Sequence, residues 1–229
     1  INLNSLDILI KLSGFHHTMS STQSSENNLI ETEQDGIKYS LDEEKKIAFV
    51  LNLNIKNDIF IPRSIVYNSQ EYIITGIRPK AFNGIRKVHS VSFAESSEVK
   101  IIEPNAFFSY SINSITLPPS VTQIKDGWCS YAPSLSKIKV DPNNQYYKSY
   151  QDQFIFAKSS PEQENFNVLI FSVSQIQIAT IPDYIEIFGP RAFYICDKLS
   201  QITLSPNSNL KIIENEVFSY SSIESFTIP

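Results

Sequence analysis

This sequence contains few cysteines and no N-glycosylation motif. Among its 229 residues, Cys129 and Cys196 are the only cysteines, and no asparagine begins an Asn-x-Ser/Thr acceptor. Two cysteines do not make a disulfide framework for a chain of this length. Both absences favour a reducing compartment without N-glycosylation.

Glycine is also scarce, and long apolar runs are missing. The six glycines are scattered, and neither a G-x-x-x-x-G-K phosphate loop nor a G-x-S-x-G nucleophile elbow occurs. No apolar run approaches the roughly 18 residues that span a bilayer as a helix. The net charge of −5 argues against nucleic acid or an anionic membrane as the main partner. We expect no nucleic-acid partner and no direct membrane insertion of this segment.

Side chains that could carry out chemistry do not form clusters at useful spacings. His16 and His17 have no cysteine or carboxylate at metal-ligand spacing, and adjacent side chains point apart on a regular element. Glu43 and Glu44 fall on a predicted exposed turn instead of in a concave site. We therefore expect no catalytic residue, no metal site and no cofactor.

The residues that are abundant favour β-structure. Aromatic residues make up 12% of the chain, with Phe and Tyr far more common than Trp, which suits pleated, half-buried surfaces. Residues 1–35 are predicted to form an ordered N-terminal element and a polar linker, STQSSENN at 21–28. Residues 36–76 are predicted to form a β-hairpin cap that leads into a repeat region. In that hairpin, apolar residues alternate on both sides of a DEEK turn.

Residues 77–229 repeat a two-part pattern. The first part, I-x-x-x-A-F, is called the knot here; it occurs at 77–82, 101–107 and 188–193, with degenerate copies at 124–129 and 213–218. The second part is a strand, L-x-x-I-x-L, starting at residues 88, 112, 135, 176, 199 and 223. Four of the five spacings between these starts are 23 or 24 residues, a period within the range of leucine-rich repeats. Stacked turns of this kind bury a continuous core that no single turn can bury alone.

The one longer spacing, 41 residues, contains a predicted insertion. Residues 141–171 begin with a turn-rich DPNN and continue with FIFAK and NVLIF around a polar bend. We interpret them as an inserted β-hairpin that replaces one knot and leaves the later register intact.

Several of these segments resemble the BspA-like (Treponema pallidum-type) leucine-rich repeats found in oral bacteria and in trichomonad and amoebic protists. The resemblance rests on AFYICDKLSQITL, LPPSVTQI, IPDYIEIF and the inserted hairpin, and it covers about residues 36–229. It implies a mostly β leucine-rich-repeat solenoid with short helical turns on the convex side, and further repeats beyond residue 229. It also implies that Cys196 is a buried, packed thiol. Cys129, two turns away, would lie about 10 Å from it, too far for a disulfide.

The candidate binding surface is the concave sheet, because outward strand positions align into columns in a solenoid. One column is predicted to contain Ser90, Ser114, Lys137, Ile178, Gln201 and Ser225, and the next Ser92, Thr116, Lys139, Thr180, Thr203 and Thr227. Hydroxyl columns also occur simply because Thr stacks well on exposed strands.

Two functions remain open at this stage. The first is a non-catalytic module that binds a protein or a glycan; resemblance to the family implies a surface adhesin or antigen, hence a cell-surface or extracellular location. The alternative is an intracellular scaffold or a cytoskeleton-associated protein, which the missing glycosylation motifs and the two unpaired cysteines favour. An enzyme ranks behind both.

Overall fold

The computed structural model describes residues 29–55 and 57–229. The predicted N-terminal element and polar linker within residues 1–28 lie outside the described residues. The described residues form strands and turns, with no helix among them. The strands are β1 (Leu29–Gln34), β2 (Ile37–Asp42), β3 (Ile47–Leu53), β4 (Ile59–Ile61), β5 (Ser64–Tyr67), β6 (Gln70–Ile77), β7 (Ser90–Phe93), β8 (Ile101–Ile102), β9 (Ser114–Leu117), β10 (Gln123–Ile124), β11 (Lys137–Val140), β12 (Tyr147–Tyr150), β13 (Phe154–Ala157), β14 (Val168–Ser172), β15 (Ile178–Ile181), β16 (Ile187–Phe188), β17 (Gln201–Leu204) and β18 (Ile212–Ile213).

The N-terminal cap is an antiparallel ladder of β1, β2 and β3. The β2–β3 hairpin is present as predicted, and β1 adds a third strand upstream of it. On β3 the buried residues are Ala48, Val50 and Leu53. Ala48 and Val50 alternate with the larger Ile47 and Phe49, which are only half-buried. Ala48 and Val50 are buried because they pair across the strands with the inward-facing Leu41 and Tyr39.

The repeat strands form two parallel sheets with the core between them. The first, called the strand face here, has the order β11-β9-β7-β4, with β15-β17 as a separate pair. The second contains the short strands that precede the knots; β6, β8 and β10 belong to one part of it, and β14, β16 and β18 to the other. Alternate residues of the strand face, such as Val91, Ile115 and Ile202, point inward and are buried. The leucine-rich-repeat solenoid is therefore confirmed.

The knots are tight turns, and the short helical turns expected on the convex side are not seen in the described residues. In each knot the fourth residue has a positive φ, between 56° and 68°: Lys80, Asn105, Gly127, Arg191 and Glu216. The next amide bonds back three residues, as from Ala81 N to Arg78 O at 3.2 Å. This is a type II turn, with proline before the positive-φ residue in three knots. A positive φ cannot continue a right-handed helix, so the remaining amides bond to the next knot instead.

A row of aromatic rings in contact with one another runs through the knots. The ring centroids of Phe82 and Phe107 are 4.3 Å apart, and those of Phe107 and Trp128 are 5.4 Å apart. Trp128 replaces the usual alanine, and its ring fills the space where the phenylalanine would lie. Phe171 of β14 follows at 5.0 Å from Trp128 and stands where the missing knot would place its own aromatic ring.

The insertion interrupts both sheets. It forms a meander of β12, β13 and β14, and β14 then pairs in parallel with β16. Among the described strands, however, β10 does not pair with β14, and β11 does not pair with β15. The prediction that the insertion leaves the later register intact agrees with the pairing after it, since β15 pairs with β17 and β16 with β18 in parallel. The sheets themselves are interrupted at the insertion.

The last predicted strand, residues 223–228, is not a strand in the structure. The amide of Ser222 still bonds to the carbonyl of Cys196, at 3.2 Å, and the ladder to β17 stops there.

Candidate functional site

The first half of the strand face brings six of the predicted site residues together. Ser90 pairs with Ser114, and β9 pairs with β11 so that Ser114 lies beside Lys137 and Thr116 beside Lys139. These residues and Ser92 point away from the core, since Val91, Ile115 and Ile138 between them are buried. The two predicted columns are therefore present over β7, β9 and β11.

The second half of the strand face holds a shorter version of the same pattern. Ile178 pairs with Gln201 and Thr180 with Thr203 across β15 and β17. All four side chains are exposed, and Gln201 donates a hydrogen bond from Nε2 to Thr203 Oγ1 at 3.2 Å. Because β11 and β15 are unpaired, these residues form a second patch and do not extend the columns of the first.

Two predicted site residues do not join either patch. Thr227 and Ser225 lie in the segment after Ser222 that forms no strand. Their placement in the columns depended on a sixth strand, so that part of the prediction is wrong.

The insertion supplies an acid to the lysine pair on β11. Asp152, in the turn between β12 and β13, lies 3.4 Å from Lys137 Nζ and 3.8 Å from Lys139 Nζ. The three side chains are about half exposed, so water screens these ion pairs and they contribute little to stability. Asp152 offsets one of the two positive charges, which leaves the first patch a hydroxyl-bearing surface with a small net positive charge.

Strand β4 adds an aromatic residue that the sequence analysis missed. Phe60 pairs with Ser92, and its side chain is 59% exposed, so it extends the second column by one position. Beside the first column, Asp58 accepts hydrogen bonds from the amides of His89 and Ser90 at 3.1 and 3.0 Å. Hydrogen bonds from the Ser90 side chain and from these two amides lower the pKa of the Asp58 carboxyl. The alternation Ile-Phe-Ile at 59–61 was the available signal for an outward Phe60.

The two cysteines are buried and free, and no disulfide joins them. Burial raises the pKa of Cys196 to about 12 and also raises that of Cys129. Their thiols are therefore protonated at neutral pH, and a thiol in that form is a poor nucleophile. The expectation of packed, unreactive thiols agrees with this geometry.

Residues 29–55 and 57–229 contain no group of three or more His, Cys, Asp or Glu side chains placed to hold a metal ion. In the same part of the chain, no helix has the length and apolar character needed to cross a membrane.

Comparison with known proteins identifies the repeat. Six copies of the BspA type leucine rich repeat region match the chain, over residues 53–167 and 158–229. The Pneumococcal vaccine antigen PcpA has a similar structure, with 15% identity and a TM-score of 0.50 over 87% of this chain and 70% of that one. A leucine-rich repeat protein from Eubacterium ventriosum gives 16% identity and a TM-score of 0.46, over 88% of this chain and 66% of that one. No curated protein matches the sequence.

Proposed function

This chain belongs to the BspA-type leucine-rich-repeat family, and from that premise we propose that it is a non-catalytic recognition module whose strand face binds another macromolecule. The observation that carries the proposal is the outward column of Phe60, Ser92, Thr116 and Lys139 on four adjacent strands. Repeat proteins of this kind use such a surface for binding because stacking multiplies one outward position into an extended array.

The side chains of the strand face favour a partner that is bound through hydrogen bonds and one aromatic contact. Hydroxyls dominate the outward positions, and Asp152 offsets one of the two lysine charges. Phe60 offers apolar area at one edge, and exposed aromatic residues are common energetic centres of protein interfaces. A protein partner fits this surface best, and a glycan is the alternative ligand of the same face.

The proposed setting is the cell surface, as an adhesin or antigen. One structural neighbour is described as a vaccine antigen, and a protein similar in fold can share that role. The competing setting is an intracellular scaffold, which two buried reduced thiols and the absence of Asn-x-Ser/Thr acceptors favour. Surface biotinylation of intact cells separates the two, because only a surface protein is labelled before lysis.

Paired substitutions on the strand face test the binding proposal. Thr116→Arg together with Lys139→Glu adds bulk and reverses a charge at two exposed, registered positions, so affinity capture of the partner should be lost while the melting temperature is retained. Gln123→Arg, an exposed position on β10 of the other sheet, is the matched control and should capture normally. Unchanged capture by the double variant would move the site to the insertion at 141–171 or to the cap.

A further inference from the structure

A cavity of about 220 Å³ lies where the insertion replaces one knot. Knot 124–129 forms one wall and knot 188–193 the other, while β13 and β14 of the insertion close the space between them. Neighbouring knots elsewhere are in direct hydrogen-bonded contact, as between Phe107 N and Trp128 O at 3.0 Å. The cavity is thus the part of a missing knot that the insertion does not fill.

The inner walls of this cavity are apolar. They include Trp128, Phe171, Ile124, Ile170 and Ala157. An apolar cavity of about 150 Å³ accepts a benzene-sized molecule, so 220 Å³ has room for one ring with a short substituent. The mouth lies between exposed residues of the two knots, including Asp126 and Pro190.

Two of the three charged residues that line the cavity, Asp126 and Arg191, are already paired with one another, and the third, Lys125, is exposed to solvent. Arg191 donates from Nη1 to Asp126 at 3.1 Å and from Nε to Glu216 at 2.6 Å. These bonds link three knots across the mouth of the cavity. A charged ligand would have to compete with these internal pairs, whereas a neutral one would not.

We propose that this cavity, called the knot gap here, is a binding site for a neutral, mainly apolar molecule of about one ring. The site is separate from the strand face, since none of its lining residues belongs to β4, β7, β9, β11, β15 or β17. Its occupant stabilises the junction by filling the space between the two knots.

Three probes that share one ring test the charge preference. Cyclohexylmethanol is neutral, cyclohexanecarboxylate is an anion and cyclohexylmethylammonium is a cation, and none of them absorbs where tryptophan does. Trp128 is the only tryptophan of the chain, so its fluorescence reports on the knot gap alone. We expect the alcohol to change that fluorescence saturably, with half-saturation below about 5 mM for a probe of this size. Each charged probe should bind at least about tenfold more weakly, a difference of about 1.4 kcal/mol.

Two further measurements locate the probe. Intermolecular NOEs from the alcohol to the single Trp128 indole should appear in the unmodified protein. Ala157→Phe fills the gap and should abolish the fluorescence change, while Ala94→Phe, at a half-buried alanine outside it, should leave the change intact.

No saturation by the alcohol, equal binding of all three probes, or binding without NOEs to Trp128 would each overturn the proposal. The alcohol should also bind the Thr116→Arg/Lys139→Glu variant, because the knot gap lies outside the strand face. The two proposals can therefore fail separately.

Discussion

The regular stack and the junction around the insertion are held together in different ways. Between knots 101–107 and 124–129, the turns are joined by backbone bonds, such as that from Asn105 N to Gly127 O at 2.9 Å, and by the edge-to-face contact of Phe107 with Trp128. At the junction, where β10 and β14 do not pair, side chains replace the ladder: Tyr147 Oη accepts from Ile124 N at 2.9 Å. A solenoid can therefore accept an insertion if single side chains satisfy the backbone groups that the missing turn would have bonded.

Asn144 is the clearest example of such a replacement. Its side-chain oxygen accepts from the amides of Tyr146 and Tyr147, both at 2.8 Å. Its Nδ2 donates to Pro118 O at 3.2 Å and Val121 O at 2.9 Å. One buried amide thus ties the start of the insertion to the loop of the preceding turn and uses its full bonding capacity.

The largest expected effect tests the regular stack. Phe107→Ala and Phe193→Ala each remove a fully buried ring and should lower the free energy of unfolding by about 3–5 kcal/mol. Urea denaturation followed by circular dichroism measures this loss. A melting temperature unchanged by either substitution would contradict the stacking of the knots.

The next effect tests the junction. Asn144→Ala leaves four backbone groups without their side-chain partner, and we expect a loss of about 2–3 kcal/mol, since buried groups without hydrogen bonds are costly. Because the two halves then share fewer bonds, the unfolding transition should also broaden or separate into two. Asn143→Ala, at the exposed neighbouring position, is the control. A sharp transition with the stability of the unmodified protein would show that backbone contacts suffice at the junction.

The loss of stability at alkaline pH can be measured separately for the two halves of the solenoid, because each half contains one buried cysteine. Folding raises the pKa of Cys196 to about 12 by burial, and it raises that of Cys129 too. Above the unfolded thiol value of about 8.5, the unfolded chain loses protons that the folded chain keeps, so stability falls by about 1.4 kcal/mol per pH unit for each thiol. Urea titrations between about pH 8.5 and 9.5, below the tyrosine pKa of about 10, should show stability falling with a slope that approaches this value for each thiol. The slope should be reduced by half in Cys129→Ala or Cys196→Ala. A slope unaffected by both substitutions would contradict the assignment.

A single-atom change gives the smallest expected effect on stability. Tyr147→Phe removes the hydroxyl that accepts from Ile124 N and should cost about 1 kcal/mol. Tyr146→Phe removes a hydroxyl from a side chain that is 53% exposed and should cost almost nothing. Equal stability of the two variants would show that Tyr147 does not replace a strand bond.

Much of the fold could be predicted from the sequence because its period is a local property. The spacing of 23–24 residues and the alternation within each strand were enough to place β7, β9, β11, β15 and β17. The break in the sheet was not predictable in this way, because it depends on how the insertion packs in three dimensions. The type II turns had a signal in proline at three knots, including the one with Lys80. The positive φ at Glu216 had none, because no proline precedes it and glutamate does not favour that conformation.

The candidate site was predicted in part for the same reason. Outward positions follow from the pleat, so Ser114, Thr116, Lys137 and Lys139 were found correctly as neighbours. Their pairing with Asp152 was not, because Asp152 reaches them through the fold of the insertion. The knot gap had no sequence signal either, since a space between knots is a property of packing.

Lysine accessibility in the bound state tests the central claim most directly. Lys137 and Lys139 lie on the strand face with about half of their side chains exposed, and Lys211 lies beside β18 of the other sheet with 64% exposed. Acetylation followed by mass spectrometry compares all three lysines in one molecule, free and with its captured partner. The strand-face proposal predicts that the partner protects Lys137 and Lys139 while Lys211 reacts as before. Protection of Lys211, with Lys137 and Lys139 still reactive, would contradict it.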